Sequence, residues 1–568
     1  MSSALDQNPG GSSLGPTGAT SPRAPSPSSR PRATGPKDQP HPQAPPQQQS
    51  KVWAVSWSLA TMVAVALLAV AWNILAGTDI LTTATKCTAA GATKRAVLAC
   101  SQLKAALPDI VTLPAQVQQY DDLRDDNWSH TTWQRPACIT APTRSDHVSA
   151  LVKKLVKANV PFAIRSGGHS PNPGDASIGS NGVLLSLHAL NAITYDAATG
   201  LVSIGPGARW GAVYDELDKY NLTAVGGRVM DVGVGGLSLG GGLSYLSDLH
   251  GFVCDNVVSY EVVLADGRVV EASADSHSDL FWALKGGSNN FGIVTRFKIR
   301  TYPSPPVWGG IQVFTADQTP ALMHALYQYQ TTPNKDPAAN LIINLIPTNK
   351  HLLLTLVYLK PAAARPAVFA PFSALTPIFE QTGPSTLHAL MAAFPPANQP
   401  RWTWYVRSLR PDAALYADVS AVLAGDAPEV AAVRGLQAGS LVAAVQPVGA
   451  SAVLAGRGGQ GGGGGNALGL EAVNQTWFSV SAAWWRAEDD ARVDRAVRAV
   501  HDKIGELVRR RGTGLEYVFM NDANAKQDVI KGYGRENVGR LWLVAKRYDP
   551  AGVFQRLVPG GQKLPRGW

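Results

Sequence analysis

The sequence predicts an α+β fold in two parts behind a long N-terminal leader. Three observations predict it. Short apolar runs between about residues 160 and 300 end in glycine-rich turns. Strand-like and helical patches alternate between about residues 304 and 514. A charge-free apolar stretch at 52–76 separates both from a polar tail at 1–50. The chain has 568 residues, of which 45% are hydrophobic and 16% charged, enough for a sizeable core.

The tail at 1–50 is rich in Pro, Ser, Gly and Gln and is expected to be disordered. Val52 to Ala76 is long enough for a bilayer, which needs about 20 apolar residues. Trp53, Trp57 and Trp72 sit towards its ends, as interfacial aromatics do. The long polar leader fits a transmembrane signal anchor better than a cleaved signal peptide. Arg23, Arg30, Arg32, Lys37 and Lys51 precede the span. They favour a cytosolic tail and a lumenal or extracellular remainder, a single-pass type II arrangement. Three N-glycosylation sequons follow the span, at Asn127, Asn221 and Asn474. Of the four cysteines, Cys87, Cys100 and Cys138 could supply one disulfide in an oxidising compartment, the pair left open. Cys254 reads as a buried free thiol. No Cys-x-x-Cys or His cluster has metal spacing, so no metal is expected. The net charge is +9, but Lys and Arg are dispersed, which argues against nucleic acid.

The first functional signal is Arg165-Ser166-Gly167-Gly168-His169-Ser170, after the strand-like run Val160 to Ile164. A strand that ends in such a turn presents backbone N–H groups as an anion-binding nest. Gly167 and Gly168 allow close approach and positive φ. A second glycine-rich segment, Gly233 to Gly242, includes Gly233, Gly235, Gly236, Ser238, Gly240 and Gly241 and reads as a loop. It lies between ordered-looking elements: Leu201 to Ile204, then Val257 to Leu264, the turn Ala265 to Arg268, and Val269 to Ala272. Glycines clustered inside a compact core mark a close ligand. Neither segment has the Lys-Ser/Thr of a P-loop or the acidic partner of a Rossmann fingerprint.

With these motifs, and with Gly251-Phe252-Val253-Cys254-Asp255-Asn256, Asp279 to Gly287 and Asn290-Phe291-Gly292-Ile293-Val294-Thr295, the chain resembles the vanillyl-alcohol oxidase superfamily. Within it, the chain is most similar to the fungal berberine-bridge-enzyme-like FAD oxidoreductases. The C-terminal Tyr533-Gly534-Arg535-Glu536-Asn537 and Tyr548-Asp549-Pro550 extend the match to nearly everything after about residue 100. The resemblance implies a PCMH-type FAD-binding domain over 85–303. It further implies a substrate domain over 304–514, an antiparallel sheet covered by helices. A segment 515–568 then returns to the FAD domain. It implies that His169 bonds covalently to FAD. Arg165, Ser166, Gly167, Gly168, Ser170, Val232, the second glycine-rich segment, Ile293, Tyr533 and Asn537 would hold the cofactor. Val229 stands where many relatives carry a second linking Cys, so a single histidyl link is expected. Val232 borders the flavin's oxygen-reactive face in the family, and Val there is permissive for oxygen.

The resemblance also exposes a departure. Carbohydrate-oxidising relatives carry Tyr-x-Asn-Tyr, whose last Tyr is the base. Here the stretch is Phe519-Met520-Asn521-Asp522. Asp522 is read either as a base whose pKa burial raises or as a turn residue after a strand. Tyr517, two residues before Phe519 on the same strand face, is a second candidate. The expected activity is oxidation of a small, secondary-metabolite-like molecule with reduction of oxygen to hydrogen peroxide. A dehydrogenase using another acceptor and a flavin-binding protein without turnover stay open.

In the substrate part, Ile342 to Ile346, Leu352 to Tyr358 and Trp477 to Ala482 read as strands. Asp489 to Arg511 reads as an amphipathic helix with Val493, Ala496, Val497, Val500, Ile504 and Leu507 on its core face. Gly458 to Gly465 reads as a mobile loop insertion.

Overall fold

A computed structural model describes residues 90–393, 399–424, 427–458 and 465–567. The tail at 1–50, the apolar stretch at 52–76, Cys87 and most of the Gly458–Gly465 tract lie outside the described residues. No helix among the described residues is long and apolar enough to cross a membrane.

Three sheets carry the described residues. The first holds β1 (Val111–Thr112), β2 (Cys138–Thr140), β3 (Phe162–Arg165) and β4 (Val183–Ser186), in the order β1-β2-β4-β3. Its central pairs are parallel, and all four strands are buried or nearly so. Continuous apolar runs suit strands covered on both faces. The Ser145–Lys157 helix covers it with Val148, Leu151, Val152 and Leu155. A disulfide joins Cys100, on the helix that covers 90–106, to Cys138 on β2. Cys254 is buried and free.

The second sheet holds β5 (Ile193–Asp196), β6 (Leu201–Ile204), β7 (Leu222–Ala224), β8 (Val257–Val263), β9 (Val269–Ser273) and β10 (Ile293–Pro303). Its order is β5-β6-β10-β8-β9, with β7 on β10, and every pair is antiparallel. The predicted Asp266-Gly267 turn joins β8 to β9, with Gly267 at φ +81°.

The third sheet holds β11 (Val307–Thr315), β12 (Ala339–Ile346), β13 (His351–Tyr358), β14 (Phe379–Ser385), β15 (Arg401–Leu409), β16 (Ser440–Val448), β17 (Gln475–Trp484) and β18 (Gly514–Leu515). The order is β14-β11-β13-β12-β16-β17-β15-β18, antiparallel throughout. One face is closed by the Thr319–Thr331, Ala413–Val422 and Asp490–Arg511 helices. The last buries all six predicted core positions and ends at Gly512 in the left-handed region, φ 62°. Strand alternation puts Leu441, Ala443, Val445 and Tyr405 on that face. Trp402, Trp404 and Gln446 therefore project from the opposite one.

The chain after β18 returns to the first two sheets. The Arg535–Tyr548 helix packs on the Ser278–Leu284 helix. Phe554 meets Phe162 edge-on, 6.5 Å between ring centres, and the Phe162 N–H donates to the Leu557 carbonyl. The Gly561 N–H donates to Asp175 Oδ1 at 3.0 Å.

The sequons are not equivalent. Asn127 is buried, and the Asn474 side chain donates to the Gln330 carbonyl at 2.7 Å. Asn221 alone of the three is exposed, in a turn at φ 55°. Of the three, it offers the most accessible acceptor.

Candidate active site

A cavity of about 390 Å³ lies where the first glycine turn, the second glycine segment and the Trp404 face of the third sheet meet. β3 ends in the turn Ser166 to Ser170, which lines it throughout. Gly168 takes φ +64°. The Ser166 hydroxyl donates to the Pro206 carbonyl and so ties this turn to the second sheet. Gly167 and Gly233 lie backbone to backbone, and a Cβ on either would collide with the Cα of the other.

The segment after Gly233 is not a loop as expected. Val234–Leu239 is a short helix in spite of Gly235 and Gly236. Each glycine costs about 1 kcal/mol there relative to Ala. The reason they are kept is spatial. A Cβ on Gly235 would stand 2.6 Å from Ser166 Oγ, whereas one on Gly236 would meet nothing within 4 Å and would project into open space at the cavity wall. A cleft walled by bare backbone fits a diphosphate, and Ile164, Leu187 and Ile293 supply apolar surface beside it. The residues present therefore fit FAD. Gly233→Ala is expected to cost about 1–3 kcal/mol by overpacking, read as a lower melting temperature. Gly236→Ala, which meets no neighbour, should raise the melting temperature of the flavin-free protein slightly, by the helix propensity gained, and yet lower its flavin content.

His169 faces this cavity with its ring stacked on Trp128, 4.3 Å between centres and 10° from parallel. Trp128 stacks in turn on Trp402 at 4.9 Å and Trp404 at 5.9 Å. This column bridges the glycine turn and β15. Burial and the Arg209 charge push the His169 imidazole down to about 4. At neutral pH it is uncharged, with a lone pair free to form a bond.

Asp522 enters from a single 3₁₀ turn, Met520–Asp522. Asn521 pins that turn to the second glycine segment: its Nδ2 donates to the Gly236 carbonyl at 3.2 Å, and its Oδ1 accepts from the Gly242 N–H at 3.1 Å. Phe519 stacks on Trp477 at 4.3 Å. Gln446 Nε2 donates to Asp522 Oδ2 at 2.8 Å, and Arg228 Nη2 donates to Gln446 Oε1. Burial pushes the Asp522 carboxyl up, while the Gln446 hydrogen bond and the Arg228 charge oppose that rise. A carboxyl so placed takes up a proton more readily than an exposed one, as a general base must.

Val229 and Val232 both line the cavity, and Val229 is 48% exposed. Several expected cofactor residues do not line it. Arg165 is buried below the turn, donating to the Leu123 and Arg124 carbonyls and to Ser186 Oγ. It holds the turn from behind. Ser238 lies on the inner side of the short helix, fully buried. Gly240 packs against Asn521, and Gly241, at φ +106°, against Leu468. The Tyr533 hydroxyl donates to the Gly286 carbonyl at 2.9 Å, and Asn537 Nδ2 to the Ala467 carbonyl at 3.3 Å. Both support neighbouring loops.

Tyr517 is also corrected. It is not on a strand but in the extended link after β18, stacked on Tyr533 and outside the cavity lining. Burial pushes its hydroxyl well above the usual range, and that hydroxyl has no partner among the described residues. Tyr517→Phe is expected to leave kcat unchanged and to alter stability by under about 0.5 kcal/mol, since it removes an unpaired buried polar group. A large loss of kcat would restore Tyr517 as the base. The sequence reading missed Trp128, Trp404, Gln446 and Arg228. Only Arg228 carried a signal, its place in the stretch next to Val229.

The model of the FAD binding domain matches residues 136–273. A FAD-dependent monooxygenase of Arthrobotrys oligospora is 38% identical over 453 residues, 78% of this chain and 85% of that protein. Among solved structures, 6-hydroxy-D-nicotine oxidase from Arthrobacter nicotinovorans superposes with a TM-score of 0.68 at 21% identity, covering 80% of this chain and 98% of the other. Glucooligosaccharide oxidase from Acremonium strictum, whose FAD carries a cysteinyl and a histidyl link, gives 0.65 at 19% identity, covering 83% and 99%. The chain belongs to the family of fungal FAD-dependent oxidoreductases that this Arthrobotrys relative represents.

Proposed function

We propose that this FAD-linked oxidoreductase is an oxidase of a small organic, secondary-metabolite-like substrate, with FAD held by one covalent bond to His169 and oxygen as the final acceptor. The observation that carries the reading is a neutral, stacked imidazole beside a glycine-walled cleft, with a half-buried carboxyl facing the same cavity. Bound FAD supplies hydride acceptance and electron transfer to oxygen. The chain's residues supply the rest. Trp128 holds the His169 ring in place for bonding. Gln446 orients Asp522, which receives the substrate proton. Val232 keeps the wall beside the cofactor narrow in side-chain volume, which favours oxygen access. With Val at 229, no second thiol link forms.

The test uses the full-length protein. Acid denaturation should leave the yellow colour on the peptide that contains His169. Substrate-reduced enzyme mixed with air should reoxidise quickly and yield hydrogen peroxide. Slow reoxidation would favour a dehydrogenase. Incorporation of labelled oxygen into product would favour the monooxygenase activity that relatives are named for. Absence of bound flavin would remove the enzyme reading.

We also propose anchoring through 52–76 with the enzyme lumenal or extracellular. The Cys100–Cys138 disulfide and the exposed Asn221 support an oxidising, glycosylating compartment. Release of the chain from membranes by a carbonate wash would overturn the anchor.

A further inference from the structure

Arg228 is a charged group at this cavity to which the reaction above gives no direct part. It lines the cavity, and its side chain reaches away from the glycine turns to Gln446 on β16. A guanidinium carries five N–H donors in a planar fork. Here one goes to the Gln446 amide oxygen, and no other hydrogen bond or ion pair engages Arg228 among the described residues. Its Cζ lies 5.9 Å from the centre of the buried Tyr245 ring. Tyr245 offers a face to the cation but no acceptor that closes the fork.

The arrangement keeps the charge free. Asp522 is near enough for Arg228 to act on it electrostatically, yet Gln446 stands between them, accepting from one and donating to the other. A direct Arg–Asp pair would neutralise the guanidinium and spend the carboxylate. Gln446 prevents both. Arg228 is half-buried, and a guanidinium drawn partly out of water with donors to spare gains from a ligand that supplies the missing charge. Its planar donor fork matches a planar, delocalised oxyanion.

We propose that Arg228 is the binding site for an oxyanion carried by the substrate, a carboxylate or the enolate of a 1,3-dicarbonyl, held beside Asp522. The substrate is thus an acidic small molecule anchored on the third sheet's side of the cavity. This rests on the reading of the cavity as the combined FAD and substrate site.

The probe pair is benzoate and benzamide, planar and nearly isosteric, which differ in charge. Full-length holoenzyme, its flavin content first confirmed by absorbance, is titrated with each by calorimetry and by perturbation of the flavin spectrum. Benzoate is expected to bind at least roughly tenfold tighter than benzamide. Arg228→Met should abolish that ratio with flavin content unchanged, and Arg228→Lys should retain part of it. Equal affinities in the wild type, no measurable benzoate binding, or a ratio that survives in Arg228→Met would overturn the proposal. So would loss of flavin in Arg228→Met, which would assign the charge to the cofactor. A wild-type protein without flavin would instead sink the functional reading, while calorimetry still measures the benzoate ratio.

Discussion

The His169→Ala protein is expected to release all its flavin into the supernatant on acid precipitation, where the wild type retains it on the polypeptide. The expectation follows from where the ring sits. It is the imidazole that borders the glycine cleft, and its stack on Trp128 fixes its plane. Loss of that stack forfeits about 0.5–1.5 kcal/mol of local order as well as the bond. Turnover should fall by about tenfold or more, a barrier increase of at least ~1.4 kcal/mol. The pH dependence of attachment is a second readout. Before the bond forms, burial and Arg209 hold the imidazole at about 4 against an ordinary 6.5. The neutral form therefore persists through the mildly acidic range, and attachment to the apoprotein should stay constant from neutral pH downward and fail only towards pH 4. Failure near pH 6.5 would show that the ring is solvated and the column open.

Asp522→Asn should lower kcat by about 10² to 10⁴, the usual range for loss of a general base. It keeps the shape and the contact with Gln446 but cannot take a proton. In the wild type, kcat should rise with pH through the carboxyl's ionisation, and burial places that limb above the ordinary carboxylate range. The sign of a second variant follows from the hydrogen bond. Gln446 donates to the carboxylate and so favours the charged form. Gln446→Leu should move the limb to higher pH than in the wild type. A shift to lower pH, or an unchanged profile in Asp522→Asn, would remove Asp522 from proton transfer and leave it as a turn residue.

Contiguous motifs were legible in the sequence. The Gly-Gly-His turn, the Asp266-Gly267 hairpin and the amphipathic helix ending at Gly512 depend on neighbours a few residues apart. The second glycine segment was misjudged because propensity opposes a helix there and only the packing against Ser166 and Gly167 overrides it. Gln446 and Trp404 were hidden for a different reason. Alternation says that a strand has two faces, but not which one the helices cover. The resemblance carried Tyr533 and Asn537 by position in the chain. Side-chain direction is a separate matter, and both are committed to backbone carbonyls of Gly286 and Ala467.

The returning C-terminal segment sets an order of events during biosynthesis. Gly561 and Gln562 form part of the cavity wall, and Gly561 is bonded to an aspartate 386 residues earlier in the chain. While a ribosome is still translating the third sheet, the glycine turn and its histidine have already emerged, but one side of their pocket has not been made. On the proposed reading, cofactor attachment is expected only after translation has passed these residues. With the proposed link at His169, chains truncated before Gly561 should stay colourless after acid precipitation, because one wall of the pocket is missing.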